Sequence, residues 1–187
     1  MVFNHNYKSL KKDIYAAWWL RQMCKDLKDY LLSVSFDSAY TPVVYLIGEM
    51  GVGEVAEILA QEFPFLKIHC LSEWVGEDAK YENEFDERVK FYDNIIKDKG
   101  KIEEFIDEIY SPAMVYIASC NDASCLQQDL DFWKPGLRNG AIMAGGHYAW
   151  KHYRNHKLFF EVQKVVINTF YSEPDKKYTD GSWYKII

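Results

Sequence analysis

The sequence has no stripe of lysine or arginine. Its formal net charge is −6, and residues 73–108 alone hold 13 acidic and 6 basic side chains. Without a basic patch to displace counterions from phosphates, duplex nucleic acid is not an expected partner. The acidic stretch reads as a solvated helix face. Also lacking is any apolar run near the ~20 residues that span a bilayer. The opening "MVFNHNYKSLKKD" has no apolar segment of the kind that directs secretion. A cytoplasmic protein without membrane association is therefore expected. Cysteine is scarce, with Cys24, Cys70, Cys120 and Cys125 as the full set and no C-x-x-C pair among them. Reduced thiols follow, and a zinc site does not. His152 and His156 lie four apart in "HYRNH", but the glutamate of H-E-x-x-H is missing, so no metal is expected.

What is present suits one core. The 187 residues are 49% hydrophobic and 27% charged, the balance of a folded domain. We read residues 1–187 as one domain, with an N-terminal helical segment at 1–40 and an α/β core at 43–187. Leu10, Ile14, Ala17, Trp18, Leu27 and Leu31 recur at helical spacing over 9–33. After it "VVYLI" (43–47), "LKIHCL" (66–71), "AMVYIA" (113–118) and "AIMAG" (141–145) read as buried strands. Helical patterns over 54–63, 81–109, 124–133 and 157–170 alternate with them, and "SWYKII" (182–187) reads as a closing strand. The 81–109 pattern is acidic and breaks at Gly100. Alternating strand and helix predicts a mostly parallel sheet covered on both faces, a Rossmann-like three-layer sandwich.

In such sheets ligands bind beyond the carboxyl ends of the strands. After the first strand stand Gly48, Gly51 and Gly53, a loop that lets backbone approach a ligand and then opens a helix. The spacing is G-x-x-G-x-G, not the dinucleotide G-x-G-x-x-G, and a tight strand-to-helix turn needs glycine without any ligand. After the second strand, Glu73 lies about 20 residues past Gly53, where a carboxylate can accept ribose hydroxyls; otherwise it is one more exposed acid. Trp74 is either a stacking surface for a base or core. After the third strand, Asp122 precedes a helix and reads as its N-cap, with Asn121 beside it. After the fourth, "GGHY" sets His147 at the mouth of the sheet, where it would act as a base, a hydrogen-bond donor or an ordinary loop residue.

Together these strand ends resemble the class I S-adenosylmethionine-dependent methyltransferases. The chain is most similar to a small group with an "IDGDHSYE" stretch and a later "GGxIAGHDY" stretch. The likeness runs from about Val43 to Trp183 and is strongest across "VYIASCNDASCLQQDLDFWKPGLRNGAIMAGGHY". "LSEWVGED" likewise resembles the group's "VDxWxGD". The resemblance implies a cofactor site at Gly48, Glu49, Gly51, Gly53, Glu73, Trp74 and Asn121, with S-adenosylmethionine as the cofactor. It implies His147 as the base and Tyr148 or Asn121 as the residue orienting a small oxygen-bearing acceptor such as a sugar. The chemistry departs from the group's pattern. Asp-Gly-Asp-His is replaced by Ala118, Ser119, Cys120 and Asn121, which cannot build a hard, oxygen-rich magnesium site. Ser72 stands at the ribose-acid position, and Leu46 stands where an acid precedes the first glycine. The stretch before the third strand leaves little room for the group's edge strand, which is expected to be missing or shortened. The alternative is a methyltransferase fold that has lost catalysis and serves as a binding or assembly module. A nicotinamide-dependent oxidoreductase has only the glycines in its favour. The N-terminal helix is expected either to cover the sheet or to pack on a partner, the latter allowing self-association.

Overall fold

The computed structural model describes residues 7–35, 41–48, 53–75, 78–105, 112–119, 123–146, 148 and 157–187. Five α-helices and seven strands are found among them. In chain order they are α1 (Tyr7–Ser35), β1 (Thr41–Gly48), α2 (Glu54–Glu62), β2 (Lys67–Ser72), α3 (Asp78–Val89), β3 (Ile95–Lys99) and β4 (Pro112–Ser119). Then come α4 (Ala123–Trp133), β5 (Ile142–Gly145), α5 (Lys157–Phe170), β6 (Lys176–Lys177) and β7 (Trp183–Ile186). Short 3-10 turns lie at Ile102–Phe105 and Lys134–Gly136. The strands form one sheet in the order β3-β2-β1-β4-β5-β7-β6. β1 to β5 pair in parallel, and β7 is antiparallel to both β5 and β6.

Successive side chains of a strand point to opposite faces, and β1 shows the consequence directly. Val44 and Leu46 enter a core beneath α1 and α2, joined by Leu27, Leu31, Leu59, Phe63, Ile68, Met114 and Ile142. Val43, Tyr45 and Ile47 enter a second core beneath α4 and α5, joined by Val115, Leu130, Trp133, Met143, Val166 and Trp183. Central strands buried on both sides need apolar residues at every position, which is why they read as unbroken apolar runs.

The N-terminal helix covers the sheet. Leu20, Met23, Cys24, Leu27 and Leu31 of α1 are buried in the first core. Arg21 bonds Glu62 at 2.8 Å and Gln61 at 2.6 Å on α2. Asp26 accepts a bond from Lys176 at 2.6 Å and another from the Tyr178 hydroxyl, tying α1 to the β6 end of the sheet.

One expectation needs correction. The edge strand is present: β3 pairs with β2 over Ile68↔Ile95 to Ser72↔Lys99, inside the stretch read as helix. α3 stops at Val89, and Asn94 turns the chain by donating its side-chain amide to the carbonyls of Ala60, Phe63 and Leu66. β3 carries Lys97, Asp98 and Lys99 because an edge strand is solvated and is kept from pairing with other chains by its charges. Its sequence therefore lacks the apolar run of a central strand. The helix expected from "KIEEFIDEIY" begins as the 3-10 turn Ile102–Phe105, and residues 106–111 lie outside the described set.

Candidate functional site

The order of the sheet reverses between β1 and β4. From β1 the chain steps outward to β2 and β3, then returns to β4 on the other side of β1. The strands added before and after this return lie on opposite sides of β1, an arrangement that opens a crevice at the carboxyl ends of these strands. The registers bring those ends level: Ile47 faces Leu71, Gly48 faces Ser119, and Ile117 faces Gly145. The residues after β1, β2, β4 and β5 thus share one edge.

Gly48 closes β1 with a φ of 100°, in the region that favours glycine. Gly53 has a φ of 80° and caps α2 with no side-chain bond of its own. Packing accounts for this glycine without any ligand. A Cβ on Gly53 would lie 2.9 Å from Cδ2 of Phe85 on α3. The first turn of α2 bears Glu54 and Glu57. Glu57 accepts bonds from Arg88 at 2.8 Å and from the Tyr92 hydroxyl at 3.0 Å. Two carboxylates at a helix N-terminus complement its dipole and repel a phosphate, so the helix end is poorly suited to a dinucleotide.

At the end of β2, Glu73 is exposed at the crevice edge and Trp74 is buried to 3% exposure. The Trp74 ring packs edge-on against Phe85 with centroids 4.6 Å apart, and Lys97 Nζ lies 4.4 Å from its centre. Lys97 is itself held by Glu82 at 2.9 Å and Asp86 at 2.7 Å. Burial acts to lower the Lys97 pKa, and the bonds to Asp86 and Glu82 outweigh it and raise it. Trp74 is thus core, with no open face for a base. Its backbone has a φ of 54°, and its N–H donates to Ser72 Oγ at 3.1 Å. Among the described residues the indole Nε1–H has no hydrogen-bond partner. Neither Phe85 nor Lys97 was legible as part of this support, because the sequence does not show which residue of α3 or β3 faces the turn.

At the end of β5, Gly145 is required by close approach: a Cβ would lie 3.0 Å from the Ile117 carbonyl oxygen. Trp183 donates its indole N–H to the Gly146 carbonyl at 3.2 Å, and Tyr148 N–H donates to the Gly181 carbonyl at 2.7 Å. Both flanks of position 147 are therefore anchored. Tyr148 is buried, and its ring lies beside Trp183. Its hydroxyl donates to Glu173, and burial followed by that bond raises the phenol pKa. The expectation that Tyr148 orients a substrate meets this obstacle: the ring is in the second core and its proton is committed. Glu49, Gly51, Asn121 and His147 lie outside the described residues, as do Cys120, Asp122, His152 and His156. Among the described residues no group of three His, Cys, Asp or Glu side chains is placed to hold a metal ion. No described helix is long and apolar enough to cross a membrane.

The layered sheet and the crevice at its switch point define a doubly wound α/β protein with an antiparallel closing strand. Solved structures that share this fold include O-methyltransferases. A Staphylococcus aureus protein assigned as a caffeoyl-CoA O-methyltransferase superposes with a TM-score of 0.62 at 10% identity, over 97% of this chain and 91% of that one. A TDP-rhamnose 3'-O-methyltransferase of calicheamicin biosynthesis gives 0.57 at 12% identity, over 89% and 78%. A Bacillus cereus O-methyltransferase in complex with S-adenosylhomocysteine gives 0.55 at 14% identity, over 87% and 81%. At such identity the likeness is one of fold. No family model matches the chain, and no curated protein matches it.

Proposed function

We propose that the protein is an S-adenosylmethionine-dependent methyltransferase acting on a small oxygen-bearing acceptor such as a sugar. The observation that carries this reading is the level row of strand ends, Gly48, Ser72, Ser119 and Gly145, at the switch point of a sheet shared with O-methyltransferases. The residues there fit this cofactor better than a dinucleotide. Gly48 supplies a left-handed turn at the crevice, Glu73 offers an exposed carboxylate for ribose hydroxyls, and Glu54 and Glu57 disfavour a pyrophosphate. In this reading Gly48, Glu49, Gly51, Gly53, Glu73 and Asn121 hold the cofactor, and Trp74 supports the turn from beneath. Bound there, S-adenosylmethionine supplies an electrophilic methyl group on a sulfonium sulfur.

The chain's own tasks are alignment and proton removal. The acceptor oxygen has to be held in line with the methyl group at about 3–3.5 Å, and that positioning provides much of the rate. His147 takes the hydroxyl proton as the oxygen attacks, a role suited to a group that titrates near neutrality. Tyr148 contributes by fixing the backbone on one side of His147 through its bonds to Gly181 and Glu173.

The test is a thermal-shift titration. S-adenosylhomocysteine at about 100 times its Kd should stabilise the fold by ~2.7 kcal/mol, with no response to NAD. Absence of any shift at millimolar S-adenosylhomocysteine would overturn the reading and favour a fold that binds or assembles without catalysis. Glu73→Ala should remove the shift. His147→Ala should keep it and lose methyl transfer.

A further inference from the structure

A shallow recess lies where the C-terminal ends of α4 and α5 meet. α4 follows β4 and runs back to the edge where β5 begins, and α5 likewise ends before β6 starts. Their C-terminal ends pack side by side and frame a recess of about 440 Å³, which falls in the size range of small-molecule sites. Gln127 and Asp131 of α4, Lys134 and Pro135 of the following turn, and Asn168, Thr169 and Tyr171 of the α5 end line it.

Tyr171 is the unusual member. It is 90% exposed, the most exposed large apolar side chain described, and its backbone holds a φ of 54°. That left-handed backbone ends α5 and turns the side chain out of the helix. Lys134 Nζ donates to the Thr169 carbonyl and lies 5.5 Å from the Phe170 ring centre and 5.8 Å from that of Tyr171. The cation is thus fixed behind one face of the tyrosine ring. Next to it, Gln127 donates to Asp131 at 2.8 Å and to Thr169 Oγ1 at 3.3 Å, which orients the Asp131 carboxylate and the Gln127 carbonyl.

These groups select a ligand chemistry. Asp131 and Lys134 balance in charge, so a polyanion gains nothing. Polar and apolar groups line it in near-equal measure, and an acyl chain would leave the polar ones unpaired. A carboxylate, amides and an ammonium beside an open aromatic face suit a ring that carries hydroxyls at its edge and C–H groups on its face. Hydroxyls pair with the carboxylate and amides, and ring C–H groups pack on the tyrosine. We propose that the recess framed by Asp131, Lys134, Asn168 and Tyr171 is a binding site for a neutral pyranose. It is separate from the strand-end crevice and does not depend on the methyl-transfer reading.

The experiment is saturation-transfer NMR on the intact chain with methyl α-glucopyranoside, methyl β-galactopyranoside and N-acetylglucosamine as probes. At least one should receive saturation on its ring C–H protons, with a Kd of about 1–10 mM as befits one shallow site. Tyr171→Asn keeps a residue that tolerates left-handed backbone and removes the aromatic face. It should weaken binding at least about tenfold. Tyr171→Phe should retain binding, and Asp131→Asn should weaken it. Thermal unfolding of each variant confirms that the fold is intact. Saturation of none of the three probes would overturn the proposal. So would binding that survives Tyr171→Asn, or binding of inorganic phosphate in place of the sugars.

Discussion

Trp74, Phe85 and Gly53 form a chain of contacts between the two loops that flank the crevice. Gly53 belongs to the loop after β1, Trp74 to the turn after β2, and Phe85 stands between them. Gly53→Ala places a methyl group against Phe85 at a left-handed position. It should cost ~1–3 kcal/mol, read as a lower urea midpoint. Trp74→Ala should cost ~3–5 kcal/mol through the cavity it leaves. The exposed neighbour Glu73→Ala should fall within about 0.5 kcal/mol. Equal losses at 73 and 74 would mean that Trp74 does not hold the turn. The sequence left Gly53 open between a ligand loop and a tight turn, and Trp74 between a base-stacking surface and core. The structure gives each a packing role, because the contact each makes is with α3, far along the chain.

At the level of elements, legibility followed burial. β1, β2, β4 and β5 announced themselves as short apolar runs because both of their faces are covered. α5 read cleanly as 157–170. β3 did not, since its solvated edge is built from lysine and aspartate within a run that also satisfies helical spacing. β6, two residues long, has no pattern to detect. The strand-end positions of the candidate site were legible through the alternation of elements. The burial of Tyr148 was not, because nothing local shows that its hydroxyl meets Glu173. The side-chain partners that anchor α1 were equally invisible, and they make a prediction. Partial burial acts to raise the Asp26 pKa, and the bonds from Lys176, Tyr178 and Gln22 outweigh it and lower it. In the unfolded chain such a group titrates near 3.9. Its contribution is therefore complete above that value and is lost as pH falls through the lower folded value. Asp26→Asn should cost about 1 kcal/mol at pH 7, discounted for solvent screening, and the gap to the parent protein should close in urea titrations below about pH 4. A gap that persists at low pH would reject the ionic part of this anchor.

For the whole molecule, two cores share one sheet and differ in what they bury. Cys24 of α1 and Cys70 of β2 lie in the first core at 0% exposure, and burial pushes both thiols up. A raised thiol is a poor nucleophile as well as a hidden one. Disulfide reagents should therefore modify Cys125, which is partly exposed, well before these two. Labelling of Cys24 and Cys70, followed by peptide mapping in increasing urea, should track global unfolding. Early modification of Cys24 alone would show that α1 detaches as a separate unit.

The position of β7 has a consequence for synthesis. β6 is made before β7 and among the described residues pairs only with β7, which is inserted between β5 and β6. While a nascent chain still lacks residues 183–186, the β5 edge lies open. The Lys176 and Tyr178 partners of Asp26 then have no sheet to hold them in place. A released chain truncated before residue 183 should therefore expose the flank of β5 to other chains and aggregate, and restoring residues 183–186 closes it.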